Sequence, residues 1–202
     1  MREPIRAALA AALVISAAGC APSSVYLSKN YSRAGKVALL PLANNTNDLD
    51  GPPFIRKLLM EGLNARGFRV LAPDTVDAQL KAQGFTDGGQ LRAATPQQLA
   101  QWTGADLLFY PVLDRFDYIN VGYYWQRRVT VSGRLLSAQS GEKLWAAERS
   151  HSTRWLVTDK QEAEQQFAVQ TAAKALEKMT HAPLQAESRI AVNELLNTLP
   201  AR

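Results

Sequence analysis

Chemistry-bearing residues are scarce in this chain. Its 202 residues include one cysteine, Cys20, and two histidines, His151 and His181. One cysteine excludes an intramolecular disulfide. Neither histidine stands in a His-x-x-x-His or Glu-x-x-His arrangement, so a metal site would rest mostly on carboxylates, and none cluster at ligand spacing. Gly88-Gly89 has no Gly-x-Gly-x-x-Gly or phosphate-loop frame around it. Long runs of like charge are also missing. The formal charge of +5 is spread along the chain, whereas a nucleic-acid surface concentrates its cations. No apolar run reaches the roughly 20 residues a spanning helix needs. We therefore expect no catalytic residues, no metal, no cofactor and no nucleic-acid partner, which together mean a non-enzymatic protein.

What is present begins at the N-terminus. Arg2 and Arg6 form a basic start, Ala7 to Ala18 a short apolar stretch, and Ala18-Gly19 lead directly into Cys20. This is the pattern of a bacterial lipoprotein signal. Cleavage before Cys20 would leave residues 1–19 as the signal, with diacylglycerol on the thiol and an acyl group (palmitate) on the new amine. Each buried methylene contributes about 0.8 kcal/mol, so three chains make such an anchor effectively permanent. Ala21 stands where inner-membrane retention commonly uses Asp, which favours the outer membrane with the body facing the periplasm. The mature charge is +4, from 21 basic and 17 acidic residues.

Residues 20–33, with Pro22, Ser23, Ser24, Ser28, Asn30 and Ser32, read as a lipidated tether, and 34–202 as one α/β domain ending in helices. Lys36 to Leu42 is an apolar run suited to a strand buried on both faces. The polar turn Ala43 to Asp48 follows, closed by Gly51-Pro52-Pro53. Ile55, Leu58, Leu59, Gly62 and Leu63 share one helical face, and Gly67 sits where that helix should stop. Phe68 to Leu71 is a second strand. Asp74 is a candidate cap for a helix that buries Val76 and Leu80. Thr95-Pro96-Gln97-Gln98 is a strong helix start. Leu99 and Trp102 then face inward, and Gly104 ends the helix before a strand over Ala105 to Tyr110.

Three antiparallel strands are expected next, over Asp114–Tyr124, Gln126–Ser137 and Glu142–Arg149. None pairs with another as a long amphipathic hairpin of the pore-forming kind. Asp159 and Glu162 can start a helix through Lys178 that buries Val169, Ala172, Leu176 and Met179. A last helix from about Leu184 puts Ala191, Val192, Leu195, Leu196 and Leu199 on one side. The order implies a three-layer α/β domain, a mixed sheet flanked by helices.

Two features suit recognition. Asn120 to Trp125 places three aromatics ahead of Arg127 and Arg128, the residue types that interface hot spots favour. Tyr123, Tyr124, Trp125, Arg127 and Arg128 are thus the candidate partner contact, and cross-strand pairing within a hairpin tip is the competing explanation. The C-terminal amphipathic helix is expected to pack on its own domain rather than on a partner. Asp48, Asp50 and Asp74 lie near strand ends, where turn and cap duties account for them. His181 is expected to cap its helix, and His151 to sit on the surface.

From Lys36 to His151 the chain resembles a family of bacterial lipoproteins of unknown function, whose type member is a genome-derived vaccine-candidate antigen. The likeness is carried by Val37-Ala38-Leu39-Leu40-Pro41, Asn44-Asn45-Thr46, Gly51-Pro52-Pro53, the stretch Glu61 to Leu71, Gly104 to Leu108, and Gly141-Glu142-Lys143-Leu144-Trp145. The resemblance implies a fold similar to the TolB N-terminal domain and the periplasmic body of CsgG. It also implies an envelope assembly or export role beside CsgG-like lipoproteins, with a homo-oligomer left open. A regulator of peptidoglycan synthesis is the alternative. A 13-residue tether reaches at most about 45 Å, which counts against it. An envelope hydrolase is third, and no constellation supports one.

Overall fold

The computed structural model describes residues 24–121, 124–156, 171–172 and 184–200. Lys36–Leu39 (β2) is a strand whose side chains alternate between two separate cores. Val37 and Leu39 enter one, and Ala38 and Leu40 the other. That is why the run reads as continuously apolar. Gly51–Ala65 (α1) covers the first core with Ile55, Leu58, Leu59 and Leu63, and Arg69–Val70 (β4) pairs parallel to β2. Pro73–Ala82 (α2) and Pro96–Thr103 (α3) cover the second with Val76, Leu80 and Leu99. Each fully buried leucine contributes about 1.5–3 kcal/mol. Helices on both faces of a mixed sheet make the three-layer α/β domain expected.

Local signals set the helix ends. Thr95 accepts from the Gln98 N–H while Gln98 accepts from the Thr95 N–H, a complete capping box, and Gly104 closes α3 at φ +64°. Asp74 differs from its expected role. Ala72 is the N-cap of α2 with Pro73 in first position, so Asp74 lies inside the first turn and caps nothing. There its charge still complements the helix dipole.

The strands depart further from expectation. Ala105–Tyr110 and Asp114–Tyr124 are not two strands but one, Leu107–Val121 (β5), bent by a bulge between Leu113 and Arg115. Pro111 does not interrupt it. The Leu40 N–H donates to Phe109 O and the Asn45 N–H to Leu113 O, so this side of β5 faces short parallel strands. Pro111 falls where β2 has ended and Ala43–Asn44 (β3) pairs only from Val112, so its missing N–H is not needed. Tyr124–Ser137 (β6) and Lys143–Leu156 (β7) complete an antiparallel trio, β7 running well past Arg149. Strands of 15, 14 and 14 residues span about 50 Å, so long strand pairs do exist in this chain. At Gly133 a side chain would meet the Phe109 ring, and this bare position lets Phe109 and Trp145 approach to 5.6 Å between centroids.

The tether is a correction. From Ser24 onward the segment lies on the domain: Tyr26–Leu27 (β1) pairs antiparallel with Ala146 and Trp145 of β7. Ser28 donates to Leu144 O through its N–H and to Glu142 Oε1 through its hydroxyl at 2.5 Å. Polar composition suggested a free linker, but serine and asparagine here serve a cross-chain hydrogen-bond set. The sheet order is β1-β7-β6-β5-β2-β4, with β3 beside β5. Gln185–Leu196 (α4) packs on β6, β7 and α1, burying Ala191, Val192, Leu195 and Leu196, with Leu199 just beyond. It belongs to its own domain, as expected. Cys20, Tyr123, His181 and the span Asp159–Lys178, apart from Thr171 and Ala172, lie outside the described residues. Ala172 is exposed rather than buried as expected.

Candidate interaction surface

The trio β5–β6–β7 carries the expected contact residues at its distal end. Register places Val121 opposite Tyr124 and Tyr124 opposite Leu156, with Trp125 between Asn120 and Trp155. Strand alternation then separates the candidates onto two faces. Trp125 and Arg127 point toward the α4 side, Tyr124 and Arg128 away from it.

The structure does not present Trp125 and Arg127 as a contact surface. Trp125 is 4% exposed and packs edge-on against Tyr118 at 6.1 Å. Arg127 is buried and pairs with Glu187 of α4 at 3.2 Å, and Thr153 donates to the same carboxylate at 3.1 Å. α4 covers this face, so both residues hold the domain's own layers together. Arg128 lies across from Asp117 and grips it through Nε and a terminal nitrogen at 3.1 and 2.5 Å. Tyr124 is half-buried and donates to Gln126 Oε1 at 3.1 Å. Of the five candidates only Tyr124 and Arg128 are described with surface to offer.

Cross-strand pairing brings other residues together instead. Val121 (68% exposed) and Leu156 (72%) join Tyr124 in an apolar patch at the distal end, while Trp155, opposite Trp125, lies on the α4 face. A second exposed apolar group, Val25, Tyr26 and Leu27, lies along the β1 edge of the sheet. Sequence reasoning missed both, since neither strand end was expected where it falls. Exposed edges with apolar side chains are surfaces that proteins normally cover.

Beside β1 the sheet borders a cavity of about 550 Å³. Ser24 and Tyr26 wall it on one side, Gly88 to Arg92 on another, and Tyr110 and Arg134 form part of its floor. The Arg134 guanidinium lies 4.7 Å from the Tyr110 ring centre, and Lys143 Nζ 4.2 Å from that of Tyr26. Burial pushes the Tyr110 phenol up, and Arg134 partly offsets this. Hydrogen bonds from Ser28 and Asn30 hold Glu142 below its ordinary value.

The carboxylates near the strand ends do structural work. Asp48 Oδ1 accepts from the N–H groups of Asp50 and Gly51 at 3.0 and 2.6 Å, setting the entry to α1. Asn44 and Thr46 knit the same turn. His151 is half-buried in mid-strand opposite Val129. Among the described residues no three His, Cys, Asp or Glu side chains gather as a metal site.

Comparison with known proteins places this geometry. The GNA1162-like lipoprotein family matches residues 25–199. The lipoprotein NMB1124/NMB1162 of Neisseria meningitidis serogroup B is 25% identical over 150 residues, 73% of this chain and 70% of its own. The crystal structure of lipoprotein GNA1162 from Neisseria meningitidis is 20% identical, covering 69% of this chain and 97% of its own at TM-score 0.53. A PelC dodecamer from Paraburkholderia phytofirmans is 17% identical, covering 90% and 99% at TM-score 0.55. These structures share the fold.

Proposed function

This chain belongs to the GNA1162-like lipoprotein family, and on that premise we propose that it is a non-enzymatic assembly component of an envelope or export complex. It is anchored to the outer membrane by lipid on Cys20, and its body faces the periplasm. Family membership supports a membrane-anchored envelope lipoprotein and indicates no enzyme family. The observation that carries the finer reading is a pair of separate apolar surfaces on the sheet, Val25 to Leu27 along the β1 edge and Val121 with Leu156 at the distal strand ends. A heterologous contact uses two different surfaces of one molecule and, where its rotation closes, builds a ring. The PelC structure, a dodecamer of this fold, is consistent with a homo-oligomer. CsgG-like lipoproteins are the candidate hetero-partners.

Docking of β1 weakens the peptidoglycan-regulator alternative. Tyr26 stands only six positions from Cys20, a reach of about 20 Å. Mild crosslinking of native envelope, followed by purification of the lipidated protein, tests the proposal. Self-crosslinked rings or recovered export lipoproteins support it. Recovery of peptidoglycan synthases, or of monomer alone, overturns it.

A further inference from the structure

The cavity beside β1 is unusual in its charge. Arg92, Arg134 and Lys143 line it, all three exposed, against the single carboxylate of Glu148. Ion pairs among the described residues occupy Arg56, Arg115, Arg127 and Arg128, and none reaches these three cations. Arg134 and Lys143 rest instead on tyrosine rings. A ring face orients a cation without neutralising it. Among the described residues the pocket thus carries an excess of positive charge, three cations against one carboxylate, and its volume is that of a small-ligand site.

Its place on the chain says which anion it meets. Ser24 lines the cavity and stands four residues from Cys20. Four residues span at most about 14 Å, so a lipid on Cys20 holds the cavity mouth close to the membrane surface. Cations so near an anionic leaflet are attracted to its phosphates.

We propose that the Arg92–Arg134–Lys143 cavity binds the phosphate headgroup of an anionic phospholipid in the leaflet that carries the anchor. This sets which face of the domain lies on the membrane and which sheet ends remain free for partners. The inference rests on lipidation of Cys20, and the test separates the two.

The lipidated protein is reconstituted in nanodiscs of phosphatidylcholine, with or without phosphatidylglycerol, and hydrogen exchange is followed over residues 88–92, 110–112 and 143–148. Phosphatidylglycerol is expected to slow exchange there at least fivefold. The triple variant Arg92→Gln, Arg134→Gln, Lys143→Gln should lose that slowing while staying on the discs, and Lys29→Gln with Lys57→Gln, outside the cavity, should keep it. Equal exchange in both discs overturns the site. Slowing by free glycerol phosphate in phosphatidylcholine discs, with none from phosphatidylglycerol, overturns the headgroup as ligand. Loss of the wild-type protein from phosphatidylcholine discs overturns the anchor, and the inference with it.

Discussion

Arg127 carries its charge into a position where the side chain is 10% exposed, and Glu187 meets it from α4 at 4%. Taking both ions out of water is costly, and their attraction offsets that only while both are present. Glu187 Oε2 has no hydrogen-bond partner, so the pair is incompletely satisfied. Arg127→Ala should therefore cost about 3–5 kcal/mol by stranding a buried carboxylate. Arg127→Met combined with Glu187→Leu should cost much less, because no charge is then left behind. Urea unfolding of the three proteins checks this, and a single variant milder than the double would refute it. In sequence, Arg127 beside aromatics looked like a hot-spot residue. Its composition was readable, but its partner, 60 residues away, was not.

At the scale of elements, the most legible feature was α3. Its capping signal is complete within four residues, so sequence and structure agree on it. Thr95→Ala removes one arm of the box and should destabilise by about 1 kcal/mol, measured as a shift in thermal midpoint. β1 was the least legible, because a two-residue edge strand has no periodicity to read. Its docking has a pH signature. Glu142 titrates below its ordinary value of 4.5, first through the Ser28 hydrogen bond and then through that of Asn30. A depressed folded value adds stability above the unfolded value, lost as pH falls through the folded one. Amide protection at Tyr26 and Leu27 should thus hold at neutral pH and fall in acid below about pH 4.5. Glu142→Gln should weaken protection at neutral pH and remove that dependence. The long strand β5 was misread for a different reason. The expected break lay between Tyr110 and Asp114, but Pro111 to Leu113 stay paired with β6, Asp114 accepts from Ser132 at 2.5 Å, and the irregularity is absorbed as a bulge.

For the whole molecule, the anchor and the assembly are the testable properties. Cys20→Ser should abolish incorporation of an alkyne fatty acid in growing cells and leave a precursor that retains its 19-residue signal. Labelling of the variant at the wild-type level would refute lipidation at this residue. Substituting Val121 and Leu156 with serine should lower oligomer mass in solution without lowering the unfolding midpoint, since both side chains are largely exposed in the single chain. Native mass measurement of the lipidated protein in detergent, beside a thermal melt, reads both quantities.

The sequence by itself determined the α/β class, the three-layer arrangement and the buried faces of α1, α2, α3 and α4, and it alone carries the proposal of a lipoprotein signal before Cys20. Each is written in short-range signals: a small-small-Cys motif, a 3.6-residue apolar period, a cap box, a run buried on two sides. Only the tertiary structure decided that the presumed tether is a strand, that Trp125 and Arg127 are interior, and that three cations share a cavity. Those facts depend on contacts such as Ser28 with Glu142, 114 residues apart. A side chain's exposure is set by what the rest of the chain lays over it, and residue type and spacing do not carry that information.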